Sequence, residues 1–64
     1  MEHAPRELLE LRSELANTPP AQALERIDHF RPLCDADGYP LVGNVASKGV
    51  GLQPSELCAE VRNR

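Results

Sequence analysis

The chain has 64 residues, 41% of them hydrophobic, with seven basic against ten acidic side chains, a net charge of −3 and two aromatics, Phe30 and Tyr39. A chain of this length makes one small domain (1–64) that buries only about 60% of its unfolded surface, which excludes a large enclosed active site with its own supporting shell. The basic residues Arg6, Arg12, Arg26, Arg31, Lys48, Arg62 and Arg64 are scattered; this disfavours a nucleic-acid partner, and no apolar run is long enough to span a membrane.

Residues 1–4 carry no pattern and are expected to be a disordered N-terminus. They show no basic stretch leading into an apolar one, so a cytoplasmic location is expected. The first element is a helix from Pro5 to about Asn17. Leu8, Leu11 and Leu15 recur at i, i+3 and i+7, with Leu9 and Ala16 widening the stripe. Pro5 suits the first helical position, Glu7 lies in the first turn where the dipole favours it, and Arg6 and Glu10 form an i,i+4 pair. Asn17, followed by Thr18-Pro19-Pro20, breaks this helix. Thr18 then reads as the N-cap of a second helix with Pro19 at its first position. Ala23, Leu24, Ile27 and Phe30 give that helix a stripe to about Phe30, and Arg31-Pro32 ends it. Residues 5–30 are therefore expected as an antiparallel αα-hairpin.

From Leu33 the period changes. Leu33-Cys34, Asp35-Ala36-Asp37-Gly38 and Tyr39-Pro40-Leu41-Val42 read as strand, turn and strand, a short β-hairpin within 33–45 around Asp37-Gly38. Pro40 has no N–H to give a ladder, so its strand is an edge. Residues 46–52, with Gly49 and Gly51, read as a flexible loop. A short C-terminal helix is expected over 53–62, with Pro54 at its first position, Glu56 at its third, and Leu52 and Leu57 placed as a hydrophobic staple. Leu57, Cys58 and Val61 make its apolar face. The fold class is mainly α, with a small α+β arrangement if the hairpin forms.

The densest polar cluster is Asp28-His29 with Cys34-Asp35-Ala36-Asp37. His29, Cys34 and Cys58 are residue types that ligate zinc, but their spacing matches no paired C-x-x-C pattern, so no metal is assigned. Cys34 with His29 makes a nucleophile–base pair only on paper, because no third orienting group is evident. Asp35 and Asp37 open like a calcium loop, yet Gly38 comes too early for one. Ser47-Lys48-Gly49 has the wrong order for a phosphate loop, although the nearby amides and Lys48 suit a weakly held anion. In a reducing cytoplasm Cys34 and Cys58 are expected as unpaired, partly buried thiols; oxidised, they would close a loop of about 24 residues and contribute on the order of 3 kcal/mol.

The stretch Pro-Leu-Cys-Asp-Ala-Asp-Gly-Tyr-Pro-Leu-Val-Gly-Asn-Val, Pro32 to Val45, resembles the strand–turn–strand of CBS modules, which read P-V-V-D-x-D-G-x-L-V-G. The resemblance implies adenosine-nucleotide sensing. It spans about a fifth of the chain, carries an extra residue after Gly38, and follows a helix too closely for a full module; only the turn is carried forward.

A core of three small elements with a single Phe is thin, which points to burial supplied by another molecule. Leu8, Leu9, Leu11, Leu15, Tyr39 and Leu41 are the candidate partner-binding residues. Leu8, Leu11 and Leu15 also suit a core with Leu24, Ile27 and Phe30, which leaves Leu9 and Tyr39 for contact. The expected function is a small non-catalytic protein–protein interaction module, an adaptor, inhibitor or regulator, with no cofactor and with homodimerisation as one mode. Six Arg to one Lys, with seven Ala, suggests a GC-rich bacterial or phage source. The alternative is a small nucleic-acid-binding regulator whose second and third helices form a helix-turn-helix-like pair using Arg26, Arg31, Lys48, Arg62 and Arg64. A third reading is a metal or redox module built on His29, Cys34 and Cys58.

Overall fold

The computed structural model describes residues 4–45 and 49–64. It is mainly helical, with α1 Arg6–Ala16, α2 Pro20–Glu25, α3 Ile27–Phe30 running into a 3₁₀ turn Arg31–Leu33, and α4 Pro54–Arg62. Residues 1–3 of the expected N-terminal tail, and 46–48 of the expected loop, lie outside the described residues.

α1 forms where the Leu stripe predicts. Pro5 sits just outside it with an extended backbone, and its carbonyl accepts from the N–H groups of Leu8 and Leu9. The C-terminal end of α1 uses Thr18 differently from expectation. Thr18 does not cap the second helix. Its hydroxyl donates back to the Glu14 carbonyl at 2.7 Å, and the Asn17 amide donates to the Ser13 carbonyl at 2.9 Å, so both side chains close α1. The N-cap of α2 falls to Pro19 and the first helical position to Pro20. Thr18 is nearly buried at 9% exposure, and a hydroxyl in that position is satisfied most economically by the carbonyl one turn back.

The expected second helix to Phe30 is broken at Arg26, whose backbone leaves the helical region at φ −107°, ψ 32°. Beyond it the chain buries Ile27, Phe30 and Leu33, a spacing of three rather than the helical three-to-four. A 3₁₀ turn stacks i and i+3 on one line, which is how Leu33 reaches the core. Pro32 therefore sits inside a turn and does not simply end a helix. α1 packs against α3 and the 3₁₀ turn, α2 against α3, and α4 against the 3₁₀ turn. The bend thus replaces the expected αα-hairpin of two long helices by a helix facing a folded strip.

The expected β-hairpin does not form. Cys34 and Pro40 make an isolated antiparallel bridge, flanked by Asp35 N–H to Tyr39 O at 2.8 Å and Leu41 N–H to Leu33 O at 2.7 Å. The ladder stops because Leu33 is wound into the 3₁₀ turn, which leaves only Cys34 extended on the first side. Pro40 takes the bridge position that gives no hydrogen bond, so its missing N–H costs nothing there. The Asp35–Gly38 turn itself is as read from the sequence. Oδ1 of Asp35 accepts from the N–H groups of Asp37 and Tyr39, Gly38 N–H donates to Asp35 O, and Gly38 takes φ +87°, which an L side chain adopts only with strain.

Cys34 and Cys58 are joined as a disulfide with Cα atoms 5.7 Å apart, which corrects the expectation of unpaired thiols. The bond ties the turn segment to α4. Spread over 24 residues of sequence separation, it removes unfolded-chain entropy worth about 3.5 kcal/mol. The core gathers Leu15, Ala23, Ile27, Phe30, Leu33, Val42 and Leu57, with Ala4, Leu8, Leu11, Cys34, Leu52 and Val61 packed against it. At the start of α4, Gln53 N–H donates to the Glu56 carboxylate at 2.9 Å, and Leu52 and Leu57 occupy the staple positions. The described flanks of the expected flexible loop are tied down: Gly51 N–H donates to the Ala16 carbonyl, the Gln53 side chain accepts from Val45 N–H, and Asn44 accepts from Ser55 N–H. Glycine is required at Gly51, because a Cβ there would run into the carbonyl oxygens of Leu15 and Thr18.

Candidate functional site

The six residues picked out as partner-binding divide into three groups. Leu15 is fully buried and holds α1 to the core, which removes it from any surface the protein presents. Leu8 and Leu11 are half-buried and pack against the core with one edge left open. Leu9, Tyr39 and Leu41 are exposed at 37%, 57% and 47%, and Val50 joins them as an exposed large apolar side chain.

Tyr39 is presented by a rigid frame. The Asp35 carboxylate holds its backbone N–H, the Cys34–Cys58 bond anchors the chain five residues before it, and the Arg62 guanidinium lies 4.7 Å from its ring centroid. Arg62 is fixed in turn by its 2.8 Å donation to the Gly38 carbonyl. One face of the ring is thus covered by a cation and the remainder faces solvent, a setting in which cation–π attraction limits ring motion.

Two shallow concavities of about 330 and 340 Å³ lie alongside, sharing Arg31 and Val61; Arg62 lines the first and Arg64 the second. Asp37 and Asp28 line them as well, and Arg31 approaches Asp28 at 3.8 Å. Of the other residues assigned to a helix-turn-helix reading, Lys48 lies outside the described residues, and Arg26 sits at the break between α2 and α3. The expected second helix, the first member of that pair, is split at Arg26 and leaves α3 only four residues long, whereas its C-terminal member forms as α4.

The residues of the metal or redox reading are not assembled as a ligand set. Both sulfurs are spent in the disulfide, and the His29 ring turns to α1, where its Nε2 lies 3.1 Å from each oxygen of Glu14, and it makes a T-shaped contact with the Phe30 ring. Among the described residues no three His, Cys, Asp or Glu side chains converge as metal ligands. The paired Cys34 sulfur is likewise not a thiol nucleophile for His29 to activate. Ser47 and Lys48 of the anion-loop reading lie outside the described residues, and the Gly51 amide is committed to Ala16. No helix among the described residues is long and apolar enough to cross a membrane.

One feature went unread in the sequence. A groove of about 390 Å³ runs between α1 and the end of α3, floored by Leu8, Leu11 and Pro32 and rimmed by Glu7, Glu10, Glu14 and His29. The signal was present as a second periodicity: Glu7, Glu10 and Glu14 repeat at i, i+3 and i+7 beside the Leu stripe. Attention to the apolar stripe alone hides its acidic edge.

No family model, curated protein or solved structure matches this chain.

Proposed function

We infer that this chain is a small non-catalytic protein–protein interaction module, an adaptor, inhibitor or regulator, that docks through Tyr39 and Leu41 with Leu9 as a further apolar contact. The observation that carries the reading is Tyr39: 57% exposed, yet held by the Asp35 turn, the neighbouring disulfide and Arg62. A large aromatic fixed before binding loses little conformational entropy on docking, and such anchors dominate interface energetics. Self-association through the same residues is one mode of this reading. A bacterial or phage origin is retained from the Arg- and Ala-rich composition.

The test is a photo-cross-linking residue placed at Tyr39 in the native host, with Ser13 as an exposed polar control. A discrete cross-linked species at position 39 and none at 13 supports the reading; identical patterns overturn it. For self-association, light scattering should give more than the 7.1 kDa monomer mass for the natural chain and the monomer mass for Leu9→Ser/Tyr39→Ser. An unchanged mass discards that mode.

The expectation of a cytoplasmic location came from the N-terminal residues, which show no basic stretch leading into an apolar one, and the reading of unpaired thiols rested on that location. The disulfide favours an oxidising compartment for the folded form. Trapping the thiols with an alkylating reagent in intact cells distinguishes the two, since cytoplasmic protein would be fully alkylated.

A second reading, a nucleic-acid-binding regulator, is favoured by Arg31, Arg62 and Arg64 around the two concavities beside Val61. It requires binding that falls steeply with salt. No shift of DNA or RNA in a low-salt gel removes it.

A further inference from the structure

We propose that the groove between α1 and the His29–Pro32 segment seats a cationic, amphipathic segment of a partner protein. This deepens the interaction-module reading by naming the chemistry of a partner, and it uses residues separate from Tyr39 and Leu41.

The groove combines two recognition elements that point to one occupant. Its floor is apolar: Leu8 and Leu11 each leave one edge open, and Pro32 is exposed. Its rim is acidic. Glu7, Glu10 and Glu14 follow one line of α1, and a rise of about 1.5 Å per residue spreads them over roughly 10 Å. Among the described residues Glu7 has no ion-pair partner. Glu10 is held only by Arg6 at 3.3 Å, with the two side chains 71% and 91% exposed, a pair of the weak surface kind that an incoming guanidinium exchanges at little cost. Glu14 is fastened by His29, which fixes one end of the rim. An apolar floor with an anionic edge is complementary to a helix that carries Leu, Met or Phe on one face, flanked by Arg or Lys at spacings of three and four. Such a segment places its basic side chains along the rim and buries its apolar ones on Leu8 and Leu11.

A second copy of this chain does not suit the site. Its α1 carries the same three glutamates, α4 mixes Glu56 and Glu60 with Arg62, and the net charge of −3 opposes self-docking. The anionic rim equally repels phosphate-bearing ligands.

The test titrates the full chain with a labelled synthetic amphipathic peptide carrying Arg at i, i+3 and i+7 and Leu on the adjoining face. One control is a scrambled peptide of the same composition, and another has each Arg replaced by Glu. Fluorescence anisotropy reads affinity, and amide shifts in two-dimensional NMR locate the contact. The expected result is saturable binding with shifts concentrated at 7–14 and 29–32, weakened about tenfold or more by Glu7→Gln/Glu10→Gln. Both positions are exposed, and circular dichroism verifies that the variant stays folded. Equal binding of the scrambled peptide, shifts spread over the whole surface, or unchanged affinity of the Gln variant overturns the proposal. Loss of a wild-type dimer in the Gln variant also overturns it, by making a second copy the occupant. Tyr39→Ser serves as the separating arm: peptide binding that survives it, with no cross-link at position 39, keeps the groove and discards the Tyr39 face, and the reverse pattern does the opposite.

Discussion

Removing the Cys34–Cys58 bond should take away a large part of this domain's stability. Stabilities of about 0.05–0.15 kcal/mol per residue place the whole domain at roughly 3–10 kcal/mol. The cross-link spans 24 residues and constrains the unfolded chain by about 3.5 kcal/mol. The entropy of unfolding for a domain of this size converts that loss into a melting point lower by about 26 °C. The measurement is thermal and urea unfolding, followed by circular dichroism, of three samples: the oxidised chain, the same chain reduced, and Cys34→Ala/Cys58→Ala. Reduction keeps both sulfur atoms in the core and isolates the cross-link. The double variant adds the packing lost at Cys58, which is fully buried. Both should unfold at lower temperature than the oxidised form, and with a steeper urea dependence, because an unconstrained unfolded chain exposes more surface. A reduced form melting within about 5 °C of the oxidised one, with the same urea slope, would refute the assignment of the bond as the domain's staple.

Leu15→Ala should cost about 2–5 kcal/mol while Leu9→Ala stays within roughly 0.5 kcal/mol, since the first is enclosed and the second lies on the surface; similar urea midpoints for the two would contradict the orientation of α1. Gly51→Ala should destabilise by about 1–3 kcal/mol, because its Cβ meets the Leu15 and Thr18 carbonyls where the loop crosses the end of α1. A urea midpoint unmoved by that substitution would show the close approach to be absent. Gly38→Ala should cost about 1–2 kcal/mol from the φ of +87° alone, and should also alter the near-ultraviolet signal of Tyr39 by displacing Arg62. A variant with natural stability and an unaltered tyrosine signal would argue against the Gly38–Arg62–Tyr39 arrangement.

Much of the local structure was legible because it depends on neighbours in sequence. The Leu8, Leu11 and Leu15 spacing located α1, Gln53-Pro54 with Glu56 located the start of α4, and Asp35 with Gly38 located the turn. Thr18 was misread because its hydroxyl has two partners of equal local merit, the amides ahead and the Glu14 carbonyl behind. Only the burial of that side chain against the end of α1 chooses between them. The candidate site was legible in part. Leu9, Tyr39 and Leu41 are on the surface, whereas Leu15 from the same stripe is enclosed, because a helical stripe wider than its core contact must leave some members outside.

The sequence by itself determined where α1 and α4 start, which face of each is apolar, and where the chain turns at Asp35–Gly38, since caps, prolines, glycines and periodicity act over a few residues. The tertiary structure decided what depends on residues far apart. It bent the second helix at Arg26 so that Ile27, Phe30 and Leu33 share one core, reduced the expected hairpin to the Cys34–Pro40 bridge, and brought Cys34 to Cys58. It also laid His29 and Pro32 beside the glutamate edge of α1 to form the acid-rimmed groove. A chain this small has too little apolar surface to enclose its core with helices alone. The disulfide supplies the missing constraint, and the bending of the strip between the helices follows from having to bury Ile27, Phe30 and Leu33 in one core.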